Sequence, residues 1–135
     1  DKKFIQKLML QLKSEKKELF IVNDKDGTPT YTHDFAQNVK LLLEKKYWGL
    51  YNMVCGGQTS RLEVAQELIS ILKMESEIKI SEVNSDYFAK EYFAERPPCE
   101  RLINQKLEIR NLNIMRNWKE ALREYIDTYY RNYLD

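Results

Sequence analysis

Apolar residues recur every three or four positions along five stretches of this chain, and in shorter, denser runs along three others. Phe4, Ile5, Leu8, Met9 and Leu12 fall on one helical face with Lys and Gln between them, which predicts an amphipathic first helix. The mixed-charge run at 13–18 closes it as a solvated face. Phe35, Val39, Leu42 and Leu43 predict a second helix, ended by Glu44-Lys45-Lys46 and Gly49. Leu62, Ala65, Leu68, Ile69 and Leu72 stripe a third, opened by a capping box between Ser60 and Glu63. A short helix capped by Asn104 is expected at 104–109. A long last helix starts at the pair Asn117 and Glu120 and carries Trp118, Ala121, Leu122, Tyr125, Ile126 and Tyr129, whose tyrosine rings pack inward with hydroxyls outward.

The denser runs predict strands. Residues 19–22 are apolar and β-rich. Residues 50–55 are nearly continuous in apolar character, as a parallel strand buried on both faces would be. Gly56-Gly57 breaks that run, so strand, glycine turn and capped helix read as a βα unit. Ile78 and Ile80 alternate with Lys79 and Ser81, the pattern of a half-exposed strand at 78–83. Residues 84–95 read as an aromatic-rich loop with one helical turn, and Arg96-Pro97-Pro98 halts any helix. The class is therefore α/β. With no repeat, low-complexity tract or linker, residues 1–135 are expected to form one domain.

The stretch from Val22 to Ala36 joins the first strand to the second helix. Asn23-Asp24-Lys25-Asp26-Gly27 supplies turn chemistry, since Asn, Asp and Gly tolerate unusual backbone angles. Pro29 keeps Thr28 extended, Thr32 is placed to cap the helix, and Asp34 suits its positively polarised first turn. The result is a rigid, hydroxyl-rich connection.

Composition narrows the partners. Lys and Arg number 22 against 21 Asp and Glu, a net charge of +1, which gives no electrostatic footprint for nucleic acid or an anionic membrane. No apolar run is long enough to span a bilayer, and no signal-peptide pattern opens the chain. Two cysteines, Cys55 and Cys99, suit free thiols in a reducing, cytoplasmic setting rather than a disulfide framework. The chain opens at Asp1 on a helical pattern without Met, which is read as a piece cut from a longer protein.

Candidate chemistry is sparse. Gly27, Gly49, Gly56 and Gly57 cannot build a Gly-x-Gly-x-x-Gly phosphate loop. Gly56-Gly57 before a helix reads either as an anion site or as a tight strand-to-helix turn. His33 is the sole histidine and lacks the neighbours of a zinc site, which makes it a surface residue beside a helix start. Neither cysteine has an activating histidine near it in sequence. No catalytic or metal-ligating residue is assigned.

Four motifs, in order, carry a resemblance. They are Asp24-Lys25-Asp26-Gly27-Thr28-Pro29-Thr30 with Asp34-Phe35-Ala36, and Gly49-Leu50-Tyr51-Asn52-Met53-Val54 with Gly56-Gly57-Gln58-Thr59-Ser60. Then come Ala94-Glu95-Arg96-Pro97-Pro98-Cys99-Glu100-Arg101-Leu102 and Trp118-Lys119-Glu120-Ala121-Leu122. Together they resemble the C-terminal portion of the extended short-chain dehydrogenase/reductase family acting on sugar nucleotides, nearest its dTDP-4-dehydrorhamnose reductase branch. Lys25, Glu100 and Ile103 depart from the family pattern, where Gln, Ser and an Asp or Asn are usual.

The resemblance implies the substrate-binding part of a Rossmann-type fold whose cofactor-binding half, with NAD or NADP and the Tyr-x-x-x-Lys pair, lies elsewhere. None of the nine tyrosines here has Lys four positions on. Arg96 is the implied contact to a nucleotide diphosphate, a role suited to a permanently charged guanidinium that binds two oxygens at once. A loop-bridging Arg beside Pro97 is the other reading. Thr28, Thr30 and Tyr31 are implied along the sugar side of the cleft, with a purely structural turn as the alternative for the two threonines. Arg101 is expected to pair with a surface carboxylate. The implied partner is a nucleotide sugar, with a homodimer left open, and the segment alone is expected to be inactive. The rivals are a non-catalytic binding or regulatory subunit of the same fold, an epimerase or dehydratase relative, and a free-standing interaction domain.

Overall fold

The computed structural model describes residues 4–90 and 97–134. Among them the elements run α1 (Phe4–Lys13), β1 (Glu18–Val22), α2 (Thr32–Glu44), α3 (Arg61–Ile71), β2 (Lys79–Val83), α4 (Gln105–Ile109) and α5 (Trp118–Tyr129). A single 3-10 turn, Ser85–Phe88, follows β2. The α/β class is as expected.

β1 and β2 pair in parallel, with Leu19 opposite Ile80 and Val22 opposite Val83. Parallel neighbours need a long crossover, which α2 and α3 supply. The apolar stripes converge as their spacing predicts. Leu8, Met9 and Leu12 of α1, Leu19 and Ile21 of β1, Val64, Ala65, Leu68 and Ile69 of α3, and Trp118, Ala121, Leu122 and Ile126 of α5 form one buried cluster. A second cluster, Leu42, Leu107 and Leu112, lies under α2 and α4. Phe20 points the other way from Leu19 and Ile21 and stacks on Tyr87, ring centres 5.3 Å apart.

Both caps that depend on Ser60 and Asn117 form. The Ser60 hydroxyl accepts from Glu63 N–H, and the Glu63 carboxylate accepts from Ser60 N–H at 2.8 Å. Asn117 Oδ1 accepts from Lys119 N–H. Two other caps do not. α2 begins at Thr32 itself, after an extended Tyr31, so the threonine lies inside the first turn. Asn104 makes no cap bond to α4, because its amide is engaged elsewhere. α2 ends on a left-handed Lys46, φ 55°, before Gly49 is reached.

The expected strand at 50–55 is the main correction. The run is extended but pairs with no strand among the described residues. The Asn104 side chain takes the place of a neighbouring strand: its amide donates to Val54 C=O at 2.8 Å and its oxygen accepts from Val54 N–H at 3.0 Å. Two residues on, Gly56 bonds the segment 116–118, donating to Arg116 C=O and accepting from Trp118 N–H. The βα unit predicted there is thus an extended segment, a glycine turn and a capped helix.

Candidate functional site

Three segments that the sequence singles out meet at Asp26. Its N–H donates to Pro98 C=O at 2.8 Å and its C=O accepts from Glu100 N–H at 2.9 Å. On the other side, Gly27 N–H donates to Thr59 C=O and Arg61 N–H to Lys25 C=O. Asp26 therefore bridges Ser60 and Cys99 at once, and the turn after β1 lies as a middle strand between the glycine turn and the Pro-Pro loop. The Thr28 hydroxyl adds a bond to Gly57 C=O at 3.2 Å. This cross-bonding joins the three loops into one continuous surface.

Side chains reinforce the junction. The Arg101 guanidinium reaches Asp26 at 3.2 Å, donates to Gln58 Oε1 at 2.9 Å, and lies 3.4 Å from Cys99 Sγ. Arg101 thus meets the surface carboxylate expected of it, and its charge is compensated by Asp26. A compensated guanidinium builds scaffold better than it binds a free anion. The Arg101 hydrogen bond holds the exposed Cys99 thiol below its ordinary pKa, while burial pushes the Cys55 thiol up.

A second network fixes the exit of the same turn. Asp34 is buried and accepts from Arg116 Nε and Nη2, the shorter bond 2.6 Å. Arg116 also reaches Glu124 on α5 at 2.5 Å, which lowers the Glu124 pKa. The Tyr31 ring sits beneath Arg116 and edge-on to Tyr125, and Tyr31 N–H lies 3.4 Å from Cys55 Sγ. Burial, followed by the neighbouring Glu124, pushes the Tyr31 phenol up. Asn38, wholly buried in the next turn of α2, donates to Leu112 C=O and accepts from Ile114 N–H. α2 is thereby tied to the chain entering α5 at two levels.

The glycine turn is filled. A Cβ on Gly57 would sit 2.9 Å from Trp118 Cδ1 and 3.0 Å from Asn117 Nδ2, and Gly57 itself has φ +90°. Lacking a side chain, Gly57 admits the indole and the Asn117 amide against the turn. No trio of His, Cys, Asp or Glu able to hold a metal is present among the described residues. Among the described residues no helix is long and apolar enough to cross a membrane.

The structure brings Thr28 into the three-loop junction and leaves Thr30 exposed two residues on. Tyr31 faces the junction between α2 and α5. Arg96 lies outside the described residues, although Pro97 and Pro98 after it open the third loop. His33 is exposed, with Nδ1 3.9 Å from Asp34. Sequence reading did not find Gln58, Asp26 and Arg101 as a set, nor the roles of Asn38 and Asn104. Asp26, Gln58 and Arg101 each lie inside a quoted motif, and three motifs of one family in one chain is the signal that could have joined them.

Comparison with known proteins agrees with this geometry. Residues 1–131 match the family described as the RmlD substrate binding domain. The chain is 34% identical over 118 residues to the spore coat polysaccharide biosynthesis protein SpsK of Bacillus subtilis (strain 168), covering 87% of this chain and 40% of that protein. The structure superposes on a dTDP-4-dehydrorhamnose reductase of Clostridium acetobutylicum with TM-score 0.83 and 33% identity, over 92% of this chain and 43% of that one. A Bacillus anthracis dTDP-4-dehydrorhamnose reductase, solved in complex with NADP, gives TM-score 0.78 at 25% identity, over 91% and 42%. The chain therefore spans about two fifths of the length of the relatives it matches, and its fold corresponds to their C-terminal part. By sequence over nearly its whole length and by fold, the chain belongs to the RmlD substrate-binding-domain family.

Proposed function

We propose that this chain is the substrate-binding part of an NAD(P)-dependent sugar-nucleotide reductase of the dTDP-4-dehydrorhamnose type, acting in cytoplasmic synthesis of a cell-surface polysaccharide. One observation carries the reading: the family's turn, glycine and Pro-Pro motifs converge on Asp26 and form one hydrogen-bonded surface. Thr28 and Thr30 lie on the turn that crosses it, and Arg96 directly precedes its Pro-Pro segment in the chain. In this reading the hydroxyls meet the sugar and the Arg96 guanidinium, permanently charged and able to bind two oxygens at once, meets the diphosphate. Arg101 and Gln58 hold the surface in shape. Tyr31 positions the turn through Glu124 and Arg116.

The residues present do not fit a nicotinamide cofactor. The only glycine pair preceding a helix is occupied by Trp118 and Asn117, and no Tyr-x-x-x-Lys pair exists in the sequence. Hydride chemistry is accordingly assigned to the part of the family fold that this chain does not span. The unit of substrate binding is the single domain 1–135.

Calorimetric titration with dTDP tests the reading. Weak binding is expected, lost at least fivefold in Arg96→Ala and about twofold in Thr28→Val. Incubation with NADPH and a dTDP-4-keto-6-deoxy sugar should show no nicotinamide oxidation. Turnover by the chain alone, or dTDP affinity indifferent to Arg96, would defeat it.

A further inference from the structure

Arg61 opens α3 at the edge of the three-loop surface. Its N–H donates to Lys25 C=O at 3.3 Å, one residue along from the bridge between Asp26 and Ser60. The first residue of the helix is thereby held against the turn that crosses the surface. Its side chain lies across the Phe4 ring at the start of α1, the guanidinium carbon 6.0 Å from the ring centre. Both residues are half-buried. A guanidinium resting on an aromatic face is held as a plane, and its N–H donors point outward within that plane.

Three other arginines show what a guanidinium in this fold ordinarily meets. Arg101 pairs with Asp26, Arg116 with Asp34 and Glu124, and Arg123 with Glu67. Arg61 pairs with no carboxylate among the described residues. The carboxylate nearest to it in sequence, Glu63, is folded back and accepts from Ser60 N–H at 2.8 Å and from the Ser60 hydroxyl at 3.2 Å. A carboxylate there also complements the positive end of α3. The helix end is therefore already answered, and the Arg61 charge is not. A half-buried cation without a carboxylate is stabilised by an anion that reaches it.

We infer that Arg61 is a further phosphate contact of this surface, its guanidinium binding a phosphoryl group of the nucleoside diphosphate. The inference rests on the proposed function and adds to it a residue outside the four family motifs. Charge decides for phosphate over sugar or base. Hydroxyls and a neutral base gain little from a full positive charge, whereas a phosphoryl group gains the charge and a two-oxygen fit together.

Calorimetric titration of the 135-residue chain and its Arg61 variants with dTDP, inorganic diphosphate and thymidine tests it. Arg61→Ala should weaken dTDP binding about tenfold, as loss of a charged hydrogen-bonding pair does. Inorganic diphosphate should weaken to a like degree, and the response to thymidine should not change. Arg61→Lys keeps the charge and should recover part of the loss. Arg61→Gln lacks the charge and should not. The fall of dTDP affinity with added salt should flatten in Arg61→Ala and Arg61→Gln, which a merely structural Arg61 would not bring about. Melting should be nearly unchanged in all three variants, and if Arg61→Ala unfolds, the comparison stands on Arg61→Gln.

A dTDP affinity unchanged in Arg61→Gln, or an equal loss for thymidine, would overturn the inference. So would Arg61-dependent binding of inorganic diphosphate by a chain that does not bind dTDP. The two readings fail separately. Wild-type binding of dTDP that is lost in Arg96→Ala and kept in Arg61→Gln leaves the proposed function standing and removes this inference, whereas no binding of dTDP by the wild type removes both.

Discussion

Replacing Asn104 with Ala removes the side chain that stands in for a strand beside Val54. Asn104 is buried, and its amide bonds Val54 N–H, Val54 C=O and Asn113 Oδ1. A buried polar group deprived of its partner costs about 1–3 kcal/mol. Val54 is only half buried, so the lower part of that range applies to each of its two groups. With the Asn113 bond also lost, the total is about 3 kcal/mol. At about 2.1 cal/mol/K per residue, the 135-residue chain has an unfolding entropy of about 0.28 kcal/mol/K, so Tm should fall by about 10 °C. Asn104→Asp separates the two halves of the contact. Its carboxylate still accepts from Val54 N–H but faces the Val54 carbonyl with no donor.

Burial against that carbonyl raises the pKa of the new carboxyl above its unfolded value of about 3.9. A raised folded pKa gives stability that is present at low pH and lost as pH rises, so Asn104→Asp should be worse than Asn104→Ala at pH 7 and approach it near pH 4. Circular-dichroism melts at the two pH values, with amide exchange at Val54, read both effects. A Tm loss under about 3 °C for Asn104→Ala, or an Asn104→Asp protein indistinguishable from wild type, would refute the strand-mimic role.

Gly57→Ala places a methyl 2.9 Å from Trp118 in a φ +90° backbone, so it should lower stability by about 3 kcal/mol in denaturant titration, whereas Gly56→Ala, with 3.8 Å of clearance, should be nearly silent. Arg116→Met strands the buried Asp34 carboxylate, 5% exposed in its side chain, and should cost about 3 kcal/mol, with Asp34→Asn added on top restoring part of the loss in a double-mutant cycle. Cys99 should react with an alkylating reagent far faster than Cys55 at pH 7; because Arg101 lowers the Cys99 pKa, Arg101→Ala should move the pH midpoint of alkylation upward and slow the reaction at neutral pH.

The helices were legible because each carries its own evidence. The Ser60 and Glu63 box and the stripe from Trp118 to Ile126 are local signals that the structure forms as written, and Asn117 caps the last helix through Lys119 N–H rather than in a pair with Glu120. The strand at 50–55 was legible only in character. Its apolar run is real, but pairing is a property of what lies alongside, and here Asn104, fifty residues away, supplies it. Asn104 and Asn38 were opaque for the same reason: a short amide before or within a helix looks like a cap or a surface residue, and only the fold reveals the distant backbone it bonds. The three-loop junction was half legible. Its motifs could be quoted, but the bonds from Asp26 to Pro98, and from Gly27 to Thr59, depend on chain paths no local pattern encodes.

Amide chemical-shift mapping of the isolated chain, titrated first with dTDP and then in a fresh sample with NADP, tests the assignment of substrate binding to these residues most directly. The expected result is that dTDP perturbs residues 26–30, 57–60 and 97–101 together, with NADP leaving the spectrum unchanged. Perturbation by NADP at the Gly56-Gly57 turn, or a dTDP response confined to residues outside those three loops, would contradict it.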